Sequence, residues 1–459
     1  MLSRRALVAG AAGLAALAAG PAPARPRTFL ASDIGRLGRV LVHGPAASDI
    51  GHDRLSPDLL PRADSDMEAA ARQHAAFRAL LAASGARPVA LEEALEAAIL
   101  ETRPSGVFEA WLRASFPRIA GEPGRVTTAM LLGRDPALRF ALGPDGAWRA
   151  AADATNATMW TRDSAVMTPQ GLLVCNAASP GRRRENMLLR FVYRHSPLLR
   201  DIPILFDAVE EGMIVEGGDV MVVSPTLLFL GVGNRTDPRL APVLARRLGM
   251  DVLTVQTVER EYLAPLRPSA PVPFRALRVL LLHLDTFFTL IGPKHGLAVP
   301  WLLEKAHAED SPLVRFIRGA RAETLLDEEE AKGALDMLKG FGKVTLFRRG
   351  TGARDPLSDL KLVDWLRAEG YRLTWVGGVR PAGAAEAFRH FMEVTYPELR
   401  RQAANVLQAQ PGRVIAYAGN PATRSALEAD GIGVDVFEAR ELWAWHGGPH
   451  CLAQPLERG

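Results

Sequence analysis

Short apolar runs recur along this 459-residue chain, each broken by a turn at proline or glycine and followed by a second apolar run. Two strand-like runs joined by such a turn are typical of a β-hairpin. Each hairpin follows a polar residue, and LGRVLVHGP near residue 40 resembles a damaged fifth copy. The clear copies, with the opening polar residue of each, are RDSAVMTPQGLLVCN (Asp163), GDVMVVSPTLLFLGVGN (Asp219), LDTFFTLIGPKHGLAVP (Asp285) and ANVLQAQPGRVIAYAGN (Asn405).

The spacing within the repeat is regular. Proline follows the opening polar residue by six positions in the copies at Asp163, Asp219 and Asn405, and the copy at Asp285 is slightly longer. Internal repeats of this size indicate modules packed around a common axis. The opening polar residues are therefore expected to crowd one end of that axis.

Helical patterns fill the gaps between the hairpins. A helix is predicted from Ser65 to about Ser84, with a capping box formed by Ser65 and Glu68. PLSDLKLVDWLRAEG predicts another helix, and residues 93–150, which lack clear hairpins, predict a mostly helical insertion. The pattern as a whole predicts an α/β fold, with residues 25–459 as one domain.

The first 24 residues are expected to be a signal peptide. Arg4 and Arg5 precede a small-apolar stretch, and Ala22-Pro23-Ala24 supplies a cleavage site. The arginine pair favours the twin-arginine route, and an ordinary Sec signal is the alternative. No other run is long and apolar enough to cross a membrane. The mature protein is therefore expected to be soluble, and periplasmic or secreted.

Composition narrows the choice of partners. The chain is 48% hydrophobic and 23% charged, with a formal net charge of +4. Lys and Arg are scattered, apart from the RRRE run at 182–185. This distribution does not form a nucleic-acid footprint. We therefore expect a small-molecule partner, and the sequence leaves homo-oligomerisation open.

The chain has two cysteines, in different settings. Cys175 lies in an apolar run, whereas Cys451 follows a Gly-Gly-Pro-His turn near the end of the chain. Residue type alone leaves Cys451 open as a small buried residue or as a nucleophile. A Cys175–Cys451 disulfide is a further possibility in an exported protein.

Ionisable residues accompany the repeated hairpins. His283 and Asp285 are two positions apart on a predicted strand, which would face them the same way. Glu216 precedes two glycines, and Asp163 follows Arg162. A lone strand histidine is most often a core residue, but acids at matching places in several repeats favour a site. Converging acids raise one another's pKa unless a cation lies among them.

Four motifs in this order, WTRD, EGGD, HLDT and GGPHC, resemble the signature of arginine deiminases and their guanidine-modifying relatives. The opening SDIGRLGRVLVHGP is similar to the start of that family, and the resemblance spans roughly residues 30–459. It implies a five-bladed α/β propeller of pseudo-fivefold ββαβ modules with a helical insertion. It also implies hydrolysis of arginine to citrulline and ammonia, with no metal and no cofactor.

The resemblance implies a role for each catalytic residue. Asp163 and Asp285 would clamp the substrate guanidinium, and Cys451 would attack its carbon as a thiolate. The cationic substrate and His283 would depress the thiol pKa. His283 would protonate the departing ammonia and then activate water, with support from Glu216.

The residues that would bind the far end of the substrate, away from its guanidinium group, are less well defined. By resemblance, Arg182 and Arg235 would bind the α-carboxylate of arginine. Three departures bear on this choice: His446 stands where many arginine deiminases have arginine, Trp160 resembles agmatine deiminases, and LLPRAD near residue 60 replaces an acidic element. Another guanidine such as agmatine, an amidinotransferase reaction, and a non-catalytic exported amino-acid-binding protein are the alternatives. The full set of expected substrate-binding residues is Arg182, Arg235, Asn156, Trp160, Asp219 and His446.

Overall fold

The computed structural model describes residues 29–46, 66–135, 140–142, 148–150, 153–155, 157–259, 280–355 and 357–459. These residues form a mixed α/β fold. The signal-peptide prediction lies outside them. The strands, in chain order, are β1 Leu37–Val42, β2 Arg87–Ala90, β3 Phe140–Leu142, β4 Trp148–Ala150, β5 Ala165–Met167, β6 Leu172–Val174, β7 Ile204–Asp207, β8 Val220–Ser224, β9 Leu227–Val232, β10 Asp251–Gln256, β11 Phe288–Gly292, β12 His295–Ala298, β13 Val344–Phe347, β14 Arg354–Asp355, β15 Arg372–Trp375, β16 Leu407–Gln410, β17 Arg413–Tyr417, β18 Gly433–Phe437 and β19 Gln454–Arg458.

The four predicted hairpins are confirmed as the antiparallel pairs β5–β6, β8–β9, β11–β12 and β16–β17. The second strand of each hairpin pairs in parallel with one further strand, which is β7, β10, β15 and β18 respectively. A parallel neighbour requires a crossover connection, and each connection here contains a helix. Each hairpin therefore belongs to a ββαβ unit.

A fifth unit is made from the two ends of the described chain. Strand β19 pairs antiparallel with β1, and β1 pairs in parallel with β2. LGRVLVHGP was predicted to be a damaged hairpin, and this prediction is wrong. The segment is the second strand of a unit whose first strand, β19, comes from the C-terminal end of the chain. This pairing places Cys451, which precedes β19, at the start of a unit.

The helices lie mainly in the crossovers. They are Met67–Ala83, Leu91–Thr102, Val107–Ser115, Thr128–Leu131, Arg183–His195, Leu240–Arg247, Pro312–Ala322, Glu328–Gly340, Leu362–Ala368, Ala384–His390, Tyr396–Arg400, Pro421–Ala429 and Arg440–Trp443. Among the described residues, no helix is both long and apolar enough to cross a membrane.

The helix predicted from Ser65 to Ser84 spans Met67–Ala83. Its N-cap is Asp66, whose Oδ1 accepts a hydrogen bond from the Ala69 backbone N at 2.9 Å. The predicted Ser65–Glu68 capping box is therefore wrong, because the cap lies one residue later. Ser65 itself is outside the described residues.

The predicted insertion at 93–150 is helical over Leu91–Thr102, Val107–Ser115 and Thr128–Leu131. It also contains the β3–β4 hairpin, which the sequence pattern did not reveal. A second departure is the long connection between β12 and β15. It contributes β13 and β14 to the sheet of the second unit, where β13 pairs antiparallel with β10.

Apolar side chains of the hairpins are buried almost completely. Val166, Phe229, Phe288 and Ile415 are each 0% exposed. Burial of a side chain of this size contributes about 1.5–3 kcal/mol. The core therefore holds the hairpins rigidly and fixes the turns that precede them.

Candidate active site

The residue that opens each unit lies just before its first strand. Asp163, Asp219 and Asp285 lie in short 3-10 turns, whereas Asn405 and Cys451 lie in the loops before β16 and β19. All five are buried. The repeat therefore supplies three carboxylates, one amide and one thiol from equivalent positions.

Hydrogen bonds link the five opening segments in a closed cycle. Each link joins one unit to the next, and the last returns to the first. The links are Gly218 N to Asp163 Oδ1 (3.2 Å), Leu284 N to Asp219 Oδ1 (2.9 Å), Asn405 Nδ2 to the Asp285 carbonyl (3.0 Å), Cys451 N to Asn405 Oδ1 (3.2 Å) and Arg162 N to the Cys451 carbonyl (3.2 Å). The expectation that the opening residues gather is thus confirmed.

The sulfur of Cys451 lies among these side chains. Its Sγ is 3.5 Å from Asp285 Oδ2 and accepts a hydrogen bond from Asn405 Nδ2 at 3.2 Å. The preceding glycines make room for the site, because a Cβ on Gly447 would lie 2.3 Å from the Trp160 ring and one on Gly448 2.5 Å from Asn405 Oδ1. Both cysteines are free thiols, so the disulfide alternative is wrong.

The thiol of Cys451 is neutral at physiological pH. Burial raises its pKa well above the usual value, and the charges of Asp285 and Asp163 raise it further. Backbone and side-chain hydrogen bonds from Gly448 and Asn405 lower it by less. The expected depression of this pKa is therefore not a property of the protein alone, and it requires a cation among the acids.

His283 forms a buried pair with Glu216, with Nε2 2.7 Å from Oε2, and its Nδ1 is 3.8 Å from Asp163 Oδ1. Burial would lower the histidine pKa, but the surrounding carboxylates raise it to about 10. Burial would likewise raise the pKa of Glu216, but Arg235 and His283 hold it far below its usual range. The pair is therefore an imidazolium and a carboxylate.

The glycines of EGGD allow these side chains to approach the backbone. A Cβ on Gly217 would lie 1.9 Å from the Arg162 carbonyl oxygen. A Cβ on Gly218 would lie 2.7 Å from His283 Nδ1 and 3.0 Å from Asp285 Oδ1. His283 and Asp285 thus both approach Gly218, but Asp285 lies in the 3-10 turn Leu284–Thr286. The prediction that the two residues share a strand is wrong.

Arg182 is already occupied by carboxylates. Its Nε and Nη2 donate to Glu185 Oε2 at 3.1 and 2.9 Å, and its Nη1 donates to Asp163 Oδ2 at 2.8 Å. Arg235 has only a long contact of 3.5 Å from Nη1 to Glu216 Oε1. Its buried Nε has no hydrogen-bond partner among the described residues. Of the two arginines, Arg235 is the one with a buried nitrogen that makes no hydrogen bond within the described residues.

The other expected substrate-binding residues differ in their surroundings. Trp160 is buried against Gly447. Asp219 accepts hydrogen bonds from Leu284 N and from Thr236 Oγ1 (2.7 Å), and therefore joins two units. Burial raises its pKa to about 6. His446 lies in the Cys451 loop with a φ of 67°, and Asn156 lies outside the described residues.

A row of buried charges behind Cys451 was not predicted. His450 Nδ1 is 2.8 Å from Asp285 Oδ2, and its Nε2 contacts Arg162 Nη2. Arg162 Nη2 also donates to Asp33 Oδ1 at 3.0 Å. Burial and Arg162 lower the pKa of His450, so the neutral ring donates to Asp285 and accepts from Arg162. The position of His450 beside Cys451 in GGPHC was the available signal.

Three of the site residues have the spacing of a metal site, because ligand atoms of Asp163, Glu216 and His283 all lie within 4.8 Å of one another. The guanidinium of Arg182 lies among the two acids, 2.8 Å from Asp163 Oδ2 and 3.9 Å from Glu216 Oε2. Together with the His283 imidazolium it balances their charge. A cation thus already sits between these carboxylates.

A family model described as arginine deiminase matches residues 149–332 and 394–458, stretches that contain all five opening residues. An arginine deiminase of Rhodococcus erythropolis is 27% identical over 305 residues, covering 65% of this chain and 60% of that protein. One of Metamycoplasma hominis is 26% identical over 454 residues, covering 93% and 95%. The chain thus spans about 60% of the length of the Rhodococcus relative.

Solved structures of low sequence identity were also found. A DDAH of Pseudomonas aeruginosa, solved with citrulline, is 14% identical, with 91% of this chain and 99% of that chain covered and a TM-score of 0.45. AgrE solved with L-arginine is 12% identical, with 92% and 40% covered and a TM-score of 0.47.

Proposed function

The chain belongs to the arginine deiminase family, and on the geometry of its site we propose that it hydrolyses the guanidinium group of arginine to citrulline and ammonia. One observation carries the proposal. The thiol of Cys451 lies 3.5 Å from the Asp285 carboxylate, in the same hydrogen-bonded cycle as Asp163 and beside the His283–Glu216 pair. A nucleophile, two anionic clamps and a protonated acid therefore converge.

The clamp explains how a poor electrophile is held. Asp285 Oδ1 is buried and has no hydrogen-bond partner among the described residues, so it can accept an N–H of a guanidinium. Asp163 Oδ2 accepts a hydrogen bond from the Arg182 guanidinium at 2.8 Å, which is the kind of contact that a substrate guanidinium would make. Charge-assisted hydrogen bonds to both acids would hold the substrate carbon against Sγ.

The substrate cation activates the nucleophile. Because burial, Asp285 and Asp163 raise the thiol pKa, a positive charge between those acids lowers it, and the thiol proton passes to solvent because His283 is already protonated. The thiolate adds to the guanidinium carbon, and His283 gives its proton to one amino group. Ammonia leaves, and Cys451 remains joined to the carbon as a thiouronium.

Water completes the reaction. His283, now neutral, takes a proton from a water molecule, and the resulting hydroxide adds to the carbon. The C–S bond then breaks as the C=O bond forms, the hydroxyl proton is lost to solvent, and citrulline is released with the thiolate restored. Glu216 keeps the imidazole oriented through both proton transfers.

A guanidine without a carboxylate, such as agmatine, is the second candidate substrate. The observation that favours it is the engagement of Arg182, three of whose N–H groups donate to Glu185 and Asp163. Arg235 is then the main residue that would distinguish the two substrates.

A product assay tests the function. Purified protein lacking residues 1–24 is incubated with free arginine, agmatine or a peptide containing arginine, and ureido products and ammonia are measured. We expect citrulline from arginine, and no product from the Cys451→Ser variant. If the protein prefers agmatine or the peptide, that compound replaces arginine as the proposed substrate. Binding of arginine without turnover would favour the amino-acid-binding alternative.

We also propose that the five ββαβ units are the blades of a five-bladed α/β propeller. The shared strand order and the closed cycle of hydrogen bonds between opening segments support this arrangement. A crystal structure tests it, because five blades around one axis give a pseudo-fivefold superposition of the units.

Export by the twin-arginine route remains a proposal, supported by Arg4, Arg5 and the Ala22-Pro23-Ala24 site. Replacing both arginines by lysine is expected to hold the precursor in the cytoplasm, as measured by fractionation. If the variant instead reaches the periplasm as the wild type does, the Sec route is indicated.

A further inference from the structure

The side chain of Asn405 makes three hydrogen bonds, two of them to Cys451. Nδ2 donates to Cys451 Sγ at 3.2 Å and to the Asp285 carbonyl at 3.0 Å, and Oδ1 accepts from Cys451 N at 3.2 Å. Asn405 is fully buried. The sequence placed it among the opening residues but gave it no chemical role.

The amide can lie in one orientation only. The Cys451 N–H needs an acceptor and the Asp285 carbonyl needs a donor, so Oδ1 must face Cys451 N and Nδ2 must face Asp285. This orientation aims the second N–H of the amide at the sulfur. Gly448 packs against Asn405, since a Cβ there would lie 2.6 Å from the Asn405 Cβ, and this close packing holds the side chain in place.

Charge explains why an amide occupies this position. The opening residues of the first three units are Asp163, Asp219 and Asp285, and a fourth carboxylate at position 405 would lie in direct contact with the sulfur. An amide has nearly the same shape, carries no charge and donates a hydrogen bond. A hydrogen bond from a donor is stronger to a thiolate than to a thiol.

We propose that Asn405 is a catalytic residue that donates a hydrogen bond to the Cys451 thiolate and fixes the sulfur at the position of attack. The assignment rests on the proposed function in one respect, the role of Cys451 as nucleophile. Its effect on the thiol can be measured without substrate.

The groups that face the sulfur set the direction of the effect. Asp285 and Asp163 disfavour the thiolate, and Asn405 and the Gly448 backbone favour it. Tyr417 is nearby and its pKa is raised by burial, so its hydroxyl is neutral. His450 contacts Asp285 Oδ2, the oxygen nearest the sulfur, and burial lowers the pKa of His450, so its ring is neutral. Removing the Asn405 donor therefore removes one of the two interactions that lower the thiol pKa, so this pKa rises.

The test compares Asn405→Asp with Asn420→Asp, each made in a Cys175→Ser background so that Cys451 is the only thiol. Asn420 is a buried amide of the same unit whose Nδ2 donates to the Arg401 carbonyl at 3.1 Å. The rate of iodoacetamide alkylation is measured by mass spectrometry from pH 6 to 10, and kcat/KM is measured with arginine.

We expect Asn405→Asp to slow alkylation at pH 8 by ten- to a hundredfold and to shift its profile to higher pH by one unit or more. Asn420→Asp should stay within threefold of its parent. Asn405→Leu, which removes the donor without adding a charge, should also shift the profile to higher pH, and it replaces Asn405→Asp if thermal unfolding shows that the latter is not folded. Asn405→Ser, which keeps a short donor, should recover part of the rate. An unchanged alkylation profile in a folded Asn405 variant overturns the proposal.

The two failures are distinguishable. If the parent protein does not hydrolyse arginine but Asn405→Leu still shifts the alkylation profile, the proposed function is wrong and the role of Asn405 at the sulfur stands. If arginine is hydrolysed and the alkylation profile does not change, the proposed function stands and the role of Asn405 at the sulfur is wrong.

Discussion

Nε2 of His283 lies 2.7 Å from Oε2 of Glu216, and both side chains are buried. Burial would lower the histidine pKa, but nearby carboxylates outweigh it and raise this pKa to about 10. The imidazole is therefore protonated throughout the neutral range. The acid that the proposed mechanism needs for ammonia departure is therefore in place before the substrate binds.

Glu216→Gln should lower the His283 pKa, because it removes one of the charges that hold the proton. A charge-assisted hydrogen bond contributes about 1.5–3 kcal/mol, which corresponds to roughly one to two pKa units. The alkaline limb of kcat should move to lower pH by that amount. Measuring kcat from pH 6 to 10 checks this.

Glu211→Gln is the matched control, since Glu211 is exposed and pairs with Arg247 at the surface. It should leave the pH profile in place. An alkaline limb that is the same in Glu216→Gln and in the wild type would mean that His283 is not the acid.

Cys451→Ser should abolish turnover, whereas Cys175→Ser should keep most of it. Cys175 directly follows strand β6 and is fully buried, and its backbone N donates to the Ser164 carbonyl at 3.0 Å. Its thiol pKa is raised by burial and by Asp163. Steady-state citrulline formation by the two variants separates the roles, and activity in Cys451→Ser would end the nucleophile assignment.

The hairpins and the opening residues were predictable because both are local in sequence. Six positions between Asp163 and Pro169 contain one short strand and its turn, and the same spacing recurs twice. The fifth unit could not be read in this way. Its first two strands, β19 and β1, lie at opposite ends of the described chain, so no local spacing joins them.

The buried charges behind the site were beyond the sequence for a different reason. Arg162 and His450 are far apart in the chain, and each residue type is more often exposed or partly exposed. Only tertiary packing brings both against Asp285 and Asp33. The motifs that contain them, WTRD and GGPHC, marked the right places without indicating the contact.

Asp219→Asn should change how stability depends on pH. Burial raises the Asp219 pKa from 3.8 to about 6. Between those values the folded protein keeps a proton that the unfolded chain releases, so the wild type loses stability as pH rises through this window. The loss is on the order of 2–3 kcal/mol and is complete above about pH 6.

The variant has no such titration. Its free energy of unfolding, minus that of the wild type, should therefore rise by this amount from pH 4 to pH 7. Urea unfolding at several pH values measures the difference. The subtraction cancels the other carboxyl groups, and a difference that stays constant would place the proton elsewhere.

The two arginines that are proposed to bind the carboxylate of the substrate should behave differently. Arg182 donates to Glu185 and Asp163 and lies 3.9 Å from Glu216, so Arg182→Ala would leave buried acids without a cation. It should therefore impair all guanidine substrates alike.

Arg235→Ala should instead weaken the preference for arginine over agmatine. The buried Arg235 Nε has no hydrogen-bond partner among the described residues, and a carboxylate would supply one. Such a bond contributes about 1.5–3 kcal/mol, so the ratio of kcat/KM values should fall by about ten- to a hundredfold. Arg239→Ala is the control, because Arg239 is exposed and pairs with Asp237. If Arg235→Ala leaves the ratio unchanged while Arg182→Ala reduces it, Arg182 rather than Arg235 reads the carboxylate.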